Sequence, residues 1–540
     1  MTPPPVPGRW TGLVGLGLGA ALSRRVARLS DESYWARHTG DLQRRQLRML
    51  VRRAQDTAFG REHGFADLAR LRGDDLLRAY RAQVPIREYL QYAPYITRMR
   101  DHAEPDVCWP GVVLDWAQTS GTTAGDKFMP VSQDLLRHNF RASMDIFAHA
   151  RRMGVDLRRL FAGRILFLGG STDLAVNEHG VRTGDLSGLV TPMIRWPLSE
   201  VYLPGKRIAL MSDWKSKIDA MARACLHEDV RAVSGMASWG LVLFTRVLEL
   251  AREEGRDARC LRDLWPNLDL FIHGGVNYAP FRPRVAEAWS GADEDLPHRL
   301  EVYPASEAFV AMQDTAGDPG LRLCADHGVF FEFVPVEQIH RASPTALAAD
   351  QVEPGRRYVV VLSTPAGLFR YILGDVVEFD AAPPHGPARL RIVGRHKHFI
   401  NAFGENLIVE HIERAVASAA ADLDLRVGEF TAAPVYPNPS QGVRAGLQLA
   451  IEIEGHAPAD MLDRFRAAFD DSLKRQNVDY TTKRGGDLGM APPTVTPLSP
   501  GSFHAWMEQR GKLGGQHKCP RCANHRDIID AVLNAPQPVS

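Results

Sequence analysis

The chain has 540 residues, of which 45% are hydrophobic, 24% charged and 8% aromatic. This length and composition exclude a small single module and a disordered or low-complexity protein. Lysine and arginine number 65 and aspartate and glutamate 64, so the net charge of +1 produces no overall field that would attract nucleic acid or an anionic membrane. Any anionic ligand must be bound by a local site.

The N-terminal segment contains one short apolar run, residues 12–22, followed by Arg24 and Arg25. The run is too short to span a bilayer, which needs about 20 apolar residues. The residues before it are proline-rich and nearly uncharged, unlike the start of a signal peptide. We therefore expect a cytoplasmic protein with no membrane or nucleic-acid partner, and a helix over residues 13–28.

Residues 110–300 alternate strand-like and helical segments, which predicts an α/β core with its ligand at the carboxyl ends of the strands. Three segments look like buried strands that end in glycine: 165–170, 231–235 and 268–275. A helix over residues 241–251 is predicted to follow the second of them. Residues 328–379 then predict strands joined by turns, in a mixed sheet or small barrel.

A change of pattern after Gly394 predicts a hinge. The residues beyond it alternate helices and strands, with helices over 410–420 and 460–475. We therefore predict an N-terminal ATP- and acyl-binding domain, residues 1–395, and a smaller mobile α+β domain, residues 396–540.

Six cysteines in so long a chain do not make a disulfide framework, which agrees with a reducing compartment. Cys519 and Cys522 have the spacing of half a zinc site or a redox pair, and His525 follows them. The sequence contains no second C-x-x-C pair to complete a four-ligand site, so this role is the less favoured interpretation.

Three polar segments carry the candidate chemistry. Residues 118–127, QTSGTTAGDK, place hydroxyls and glycines in a turn before a helix that Ser132 would cap, where amides, hydroxyls and Lys127 could surround phosphate oxygens. The spacing of a Walker A loop is absent, so a polar turn without a ligand is an equal interpretation of this segment alone.

The second segment, residues 303–307, places Glu307 just beyond an apolar strand, where it could bind Mg²⁺. A solitary glutamate there would more often be solvated surface. The third segment, residues 369–375, sets Asp375 after a glycine turn, able to accept both hydroxyls of a ribose. By itself, it could equally be an aspartate at a strand turn.

Together these segments resemble a known family. SGTTAGDK, YPASE and YILGD, in this order, are similar to the nucleotide motifs of the auxin-responsive Gretchen Hagen family of acyl acid amido synthetases, in the acyl-adenylate-forming superfamily. Further segments support the resemblance along nearly the whole chain, among them residues 274–278, 400–405 and 514–521. The resemblance implies the two-domain adenylate-forming fold, in which an α/β domain with a small β-barrel precedes a mobile C-terminal lid.

The implied reaction has two halves. A carboxylate attacks the α-phosphate of ATP to give an acyl adenylate and pyrophosphate, and an amine or amino acid then displaces AMP. The implied cofactors are ATP and Mg²⁺, the partners are small molecules, and we expect a monomer. An acyl-CoA ligase, or a protein that binds nucleotide and acyl ligands without turnover, stays an alternative.

The resemblance also implies roles for individual residues. Lys518, Arg395 and Thr123 are the candidate catalytic residues, and Glu307 is the candidate Mg²⁺ ligand. A solvated surface position is the alternative for Lys518 and for Arg395. The candidate nucleotide-binding residues are Ser120, Gly121, Thr122, Thr123, Lys127, Val276, Asn277, Ala305, Ser306, Asp375 and Arg395.

The acyl pocket is less well defined by the sequence. Its candidate residues are His273, Tyr278, Trp239, Met236 and Leu189, and core packing is the alternative for each of them. The sequence departs from plant members at Gln118 and Thr119, and its hinge, residues 399–403, is closer to bacterial members. A plant hormone is therefore not carried over as the substrate.

Overall fold

The computed structural model divides into two compact units. It describes residues 10–119, 127–169, 174–191, 194, 196–211, 213–275, 278–279, 281–339, 341–395, 399–400, 407–435, 446–455, 458–477, 480–481, 484, 490–510, 519–523 and 525–535. The first unit is built mainly from Met1–Leu373 and Glu378–Arg391, and the second mainly from Gly374–Val377 and Ile392–Leu513 with the C-terminal segment. The functional domain boundary after Arg395 stays a prediction.

The helices of the first unit confirm the helices predicted around residues 13–28 and 241–251. Polar side chains begin several of them: Asp31 accepts a hydrogen bond from the amide of Tyr34 at 2.9 Å, and Ser132 accepts one from the amide of Leu135 at 3.0 Å. The helices are α1 (Gly12–Ser30), α2 (Glu32–Ala54), α3 (Ala58–Glu62), α4 (Phe65–Leu68), α5 (Gly73–Gln83), α6 (Tyr89–Ile96), α7 (Gln133–Arg152), α8 (Leu157–Phe161), α9 (Leu186–Val190), α10 (Lys206–Ala209), α11 (Trp214–Cys225), α12 (Ala237–Glu253), α13 (Leu261–Leu264) and α14 (Arg282–Ser290).

The first sixteen strands belong to two sheets of the described chain. They are β1 (Asp115–Thr119), β2 (Lys127–Val131), β3 (Arg164–Phe167), β4 (Ala175–Val176), β5 (Arg182–Gly184), β6 (Tyr202–Leu203), β7 (Val230–Ser234), β8 (Leu270–Gly274), β9 (His298–Pro304), β10 (Phe309–Gln313), β11 (Leu321–Leu323), β12 (Phe330–Pro335), β13 (Leu347–Ala348), β14 (Arg357–Ser363), β15 (Tyr371–Ala381) and β16 (Arg389–Arg395). The smaller sheet has the order β2-β1-β5-β4.

The larger sheet has twelve strands in the order β13-β12-β14-β15-β16-β11-β10-β9-β8-β7-β3-β6. Strands β6, β3, β7, β8 and β9 run parallel, as expected for strands that alternate with helices. Every residue of β8 is buried, and the strand begins with the apolar run Leu270, Phe271 and Ile272, as is usual for a strand covered on both faces. The α/β class predicted from the sequence is confirmed.

The antiparallel strands of the same sheet are those that the sequence placed in a mixed sheet or small barrel. β12 pairs with β14 over six residue pairs, from Phe330 opposite Ser363 to Pro335 opposite Tyr358. The hydrogen-bond ladder joins them to the parallel strands through β15, β16, β11 and β10, so they form no separate sheet.

The second unit has its own core and the α+β composition that the sequence predicted. Its elements are β17 (Phe399–Ile400), β18 (Leu407–Ile408), α15 (Val409–Asp422), β19 (Val427–Val435), β20 (Gly446–Ile453), α16 (Ala459–Gln476), β21 (Thr494–Leu498) and the helices Ser502–Gln509 and Asp527–Leu533. Strands β19, β20 and β21 form a sheet, and Phe430, Ile451 and Phe469 belong to one buried cluster. Among the described helices of the whole chain, none has both the length and the hydropathy needed to cross a membrane.

Candidate active site

The hairpin of β9 and β10 carries Glu307. The amide of Ala305 donates a hydrogen bond to the carbonyl of Ala308 at 2.9 Å, which closes the turn. Ser306 and Glu307 are buried there, and the glutamate is only 8% exposed. A buried carboxylate is costly unless cations or hydrogen bonds compensate it, so this position differs from the solvated surface that a lone glutamate usually occupies.

The chemistry of this carboxylate fits Mg²⁺. The ion usually takes one or two protein carboxylates and completes its octahedron with substrate phosphates and water. Within the described ranges, no group of three or more His, Cys, Asp and Glu side chains is arranged to hold a metal. A single buried carboxylate is the kind of ligand that a protein contributes to a nucleotide-bound Mg²⁺, and the role of Glu307 as that ligand stays a prediction.

The hydroxyl-rich segment follows β1. Ser120, Gly121, Thr122 and Thr123 lie outside the described residues, so their phosphate-binding roles stay predictions. The strands on both sides are described: β1 and β2 pair antiparallel, with Thr119 opposite Lys127. The sequence predicted a strand, a turn and then a helix, and this order was incomplete, because residues 127–131 form a second strand before α7.

Lys127 lies at the first position of β2. Its Nζ atom is 5.7 Å from the ring centroid of Tyr89, which is a cation–π contact. The lysine is partly buried, and its backbone directly follows the hydroxyl-rich segment in the sequence. The role of Lys127 in binding an anion stays a prediction.

Asp375 lies within β15 and is 7% exposed. Gly374 before it has a φ of +95°, a conformation that a side chain would strain. The start of this strand depends on Arg370, whose Nε donates to the carboxylate of Glu332 at 2.9 Å and whose Nη1 donates to the carbonyl of Val84 at 2.7 Å. Arg370 lies within the third polar segment, residues 369–375, and no role was predicted for it, although an arginine between apolar residues is itself a signal of a buried ion pair.

His273 and Tyr278 come together after β8. Their ring centroids are 4.5 Å apart, and both side chains are buried. The guanidinium of Arg299 donates to His273 Nε2 at 3.1 Å and lies 4.1 Å from the Tyr278 ring, while the Tyr278 hydroxyl donates to Asp295 at 3.0 Å. The structure thus joins two predicted pocket residues through an arginine that sequence analysis did not single out.

The protonation state of His273 follows from these contacts. Burial, with a smaller effect from Arg299, lowers the pKa of His273 to about 3, so the ring is neutral. Because Nε2 accepts from Arg299, the ring proton is on Nδ1. That buried atom has no hydrogen-bond partner among the described residues, which is unusual for an ordinary core histidine.

The other candidate pocket residues are near strand ends. Met236 precedes the first residue of α12 and Trp239 is in its first turn, directly beyond β7. The amide of Gly235 donates to the carbonyl of Ile272 at 3.0 Å, which links this segment to β8. Leu189 is buried in α9. The role of each in binding an acid stays a prediction.

The remaining candidates are not placed by the structure. Arg395 ends β16, but its side chain is outside the described set. Val276, Asn277 and Lys518 also lie outside the described residues. Their nucleotide-binding and catalytic roles therefore stay predictions.

Cys519 and Cys522 are packing residues in the second unit. Both thiols are buried and free, and burial raises the pKa of each. Their segment continues the sheet next to β19, since the amide of Ala432 donates to the carbonyl of Arg521 at 2.9 Å. A thiol whose pKa is raised by burial is a poor nucleophile, and a metal or redox role for this pair stays the less favoured interpretation.

Glu301 is a further residue that sequence analysis did not single out. It lies on β9 directly opposite His273 on β8, so both side chains project from the same face of the sheet. Burial raises the pKa of Glu301 to about 7, against an opposing effect of Arg299. A polar group with a perturbed pKa beside candidate pocket residues is typical of a functional region.

Glu301→Gln should stabilise the protein at high pH. The folded-state pKa of about 7 exceeds the ordinary value of 4.5, so the folded protein retains this proton longer than the unfolded chain. The free energy of unfolding of the wild type should then fall as the pH rises through this interval. Urea unfolding at about pH 8 should show a gain of about 1–3 kcal/mol for the variant, and at about pH 4 no gain. Glu508→Gln, at an exposed position, is the control; an equal gain at both pH values would contradict the assignment.

Comparison with known proteins agrees with this architecture. Models of the GH3 family match residues 33–191 and 177–293 (N-terminal domain), 322–395 (central domain) and 410–527 (C-terminal domain). The indole-3-acetic acid-amido synthetase GH3.8 of Oryza sativa subsp. indica is 24% identical over 524 residues, 84% of each chain. The indole-3-acetic acid-amido synthetase GH3.3 of Arabidopsis thaliana is 22% identical over 567 residues, 92% of this chain and 91% of that protein.

Two solved structures share the fold. The AtGH3.15 acyl acid amido synthetase in complex with 2,4-DB has a TM-score of 0.76 at 18% identity and covers 96% of both chains. The 2-hydroxyisobutyryl-CoA ligase in its postadenylation state has a TM-score of 0.54 at 16% identity and covers 93% of both chains. Since the family models together span most of its length, the chain belongs to the GH3 family, as its motifs predicted, and is an enzyme of the ligase class that forms carbon–nitrogen bonds.

Proposed function

We propose that this enzyme activates a small carboxylic acid with ATP, forming an acyl adenylate and pyrophosphate, and then transfers the acyl group to an amine or amino acid with release of AMP. Membership of the GH3 family and the names of its amido synthetase relatives support the reaction class. The observation that carries the proposal is the burial of Glu307 on the tight turn between β9 and β10.

The chemistry requires concentrated positive charge. A carboxylate and a triphosphate repel each other, so the site must supply cations and hydrogen-bond donors where the phosphorus becomes pentacoordinate. Lys127 and the hydroxyls of Ser120, Thr122 and Thr123 would bind phosphate oxygens. Glu307 would hold Mg²⁺, which supplies neutralisation of phosphate charge when bound.

The nucleoside part would be held by other segments. Asp375 would accept hydrogen bonds from both ribose hydroxyls, and Arg395 would reach the ribose or a phosphate. Backbone and side-chain atoms of Val276, Asn277, Ala305 and Ser306 would frame the adenine. The paired rings of His273 and Tyr278 would form part of the acyl pocket, with Trp239, Met236 and Leu189 as further candidates.

Exchange of labelled pyrophosphate into ATP tests the first half-reaction. The assay would use pools of aryl, indole and aliphatic acids, without amine and without CoA, and we expect exchange with at least one pool. Amino acids and CoA would then be offered to the enzyme with its adenylate. Release of AMP with an amino acid supports the amido synthetase, whereas release with CoA alone supports the acyl-CoA ligase. Absence of exchange and of AMP release with every combination would favour a binding protein without turnover.

Lys518→Ala should slow one half-reaction by about 10²–10³-fold and leave the affinity for ATP nearly unchanged. The reason is that a lysine on a mobile domain reaches the site in only one half-reaction, and it then stabilises the negative charge of that transition state alone. Pyrophosphate exchange and the amine-dependent release of AMP would be measured separately. Lys512→Ala, in the same segment, is the matched control, and unchanged rates of both steps in Lys518→Ala would remove this residue from the site.

A further inference from the structure

The outward face of α1 is an exposed apolar surface. Trp10 is 51% exposed, Leu13 65% and Leu16 53%. Trp196, from a distant part of the chain, is 70% exposed and stacks on Trp10 with ring centroids 6.2 Å apart. We call these four side chains the apolar patch. Single exposed leucines are ordinary on proteins, but four large apolar side chains gathered at one helix end, two of them tryptophans, form a contiguous surface.

The opposite face of α1 keeps the apolar patch turned outward. Gly15 packs so closely on α8 that an added Cβ would lie 2.1 Å from the carbonyl oxygen of Leu157, and Gly12 approaches Arg158 in the same way. Leu22 and Leu29 continue this inner face and are buried. The helix therefore cannot roll to cover its outer side chains without losing this close backbone contact.

The exposed face changes character along its length. Exposed positions recur every three or four residues, so Leu13, Leu16, Arg24 and Arg28 lie along one side of the helix. Arg151 of α7 adds a further guanidinium beside them, since it donates to Ser23 Oγ at 3.1 Å. α1 itself contains no acidic residue. The first part of the face is thus apolar, and the second part carries Arg24 and Arg28, with the exposed Asp31 and Glu32 directly beyond the helix.

We propose that the apolar patch, with Arg24 and Arg28, docks the protein on an anionic lipid surface, with α1 lying along the interface. Leucine side chains would enter the acyl region, tryptophan rings suit the headgroup level, and guanidinium groups would pair with lipid phosphates. The net charge of the whole chain led the sequence analysis to expect no membrane partner, but this local surface is independent of that average.

A second copy of this chain is a poorer occupant of the same face. Two copies that met through α1 in antiparallel orientation would set the apolar half of each helix against Arg24 and Arg28 of the other. In a parallel arrangement, the arginines would face each other and repel. A lipid interface instead offers an apolar layer and a layer of phosphates side by side, which matches both halves of the face.

Flotation with lipid vesicles tests the proposal. The full chain would be mixed with vesicles of phosphatidylcholine alone, or of equimolar phosphatidylcholine and phosphatidylglycerol. We expect binding to the anionic vesicles that weakens as salt is added. Leu13→Ser/Leu16→Ser and Arg24→Gln/Arg28→Gln should each reduce the partition coefficient by about tenfold. Leu90→Ser, which changes a leucine that is 76% exposed on α6, should have no effect.

Two results would overturn the proposal. One is failure of the wild type to bind anionic vesicles, and the other is equal binding by all variants. Light scattering of the same samples without lipid tests the alternative occupant. If the wild type is a dimer, Leu13→Ser/Leu16→Ser is a monomer and neither binds vesicles, the face is an interface between two copies of the chain. Circular dichroism of each variant verifies that the fold is retained.

Discussion

Glu307→Gln should lower ATP–pyrophosphate exchange by about 10²–10³-fold. The substitution keeps the size of the side chain and removes the negative charge that would hold Mg²⁺ against the phosphates. Glu307 is only 8% exposed, so a water molecule has little room to take the place of its carboxylate as a Mg²⁺ ligand. Initial rates of exchange with the accepted acid, measured over a series of Mg²⁺ concentrations, would show the loss and any partial recovery at high Mg²⁺.

A second readout separates metal binding from general damage to the site. Calorimetric titration with ATP should show that Mg²⁺ strengthens nucleotide binding to the wild type and has a much smaller effect on Glu307→Gln. Glu253→Gln, on the exposed side of α12, is the matched control and should behave as the wild type does. If Glu307→Gln keeps both its exchange rate and its Mg²⁺-dependent affinity, the carboxylate has no role in adenylation.

Arg370→Met should lower the free energy of unfolding by about 2–4 kcal/mol, because it removes one of the two arginines that pair with the buried carboxylate of Glu332. The other, Arg81, keeps its own contact, with Nε 2.9 Å from Oε1. Arg370 and Glu332 are almost fully buried, and their Nε and Oε2 atoms are 2.9 Å apart. The same guanidinium also donates to the carbonyls of Val84 at 2.7 Å and Arg81 at 3.1 Å, and methionine would leave both acceptors without this donor. Urea unfolding followed by tryptophan fluorescence would measure the change.

The control for this prediction is Arg70→Met, which removes an ion pair with Asp67 from the surface and should change the unfolding midpoint little. The double variant Arg370→Met/Glu332→Gln completes a cycle. It should lose less stability than the sum of the two single variants, since the buried charge is removed with its partner. A loss for Arg370→Met as small as that for Arg70→Met would show that the buried pair does not stabilise the fold.

The local pattern of the chain was enough to predict many elements. Apolar runs ended by glycine identified β7 and β8, and the helical spacing after β7 identified α12. Ser132 was recognised as a helix cap because its side chain bonds to an amide only three residues away. These predictions succeeded because each depends on hydrogen bonds and side-chain spacing within a short segment.

Prediction was less complete where distant segments pair. The strand β2 was missed because its backbone partner is β1, across residues that carry turn signals. The strands from residues 328–379 were expected in an appended sheet or barrel, yet the ladder continues through them to the parallel core. Pairing between strands depends on register and sheet order, which a single apolar pattern does not specify.

By itself, the sequence determined the family, the order of the nucleotide motifs, the α/β class and the residue types available for adenylation. Only the tertiary structure decided that Glu307 is buried, that Arg299 holds His273 in one neutral tautomer, and that both Arg370 and Arg81 pair with Glu332. Side-chain identity is a property of each position, but burial, ion pairing and pKa depend on which groups the fold brings within a few ångströms, and those groups come from remote parts of the chain.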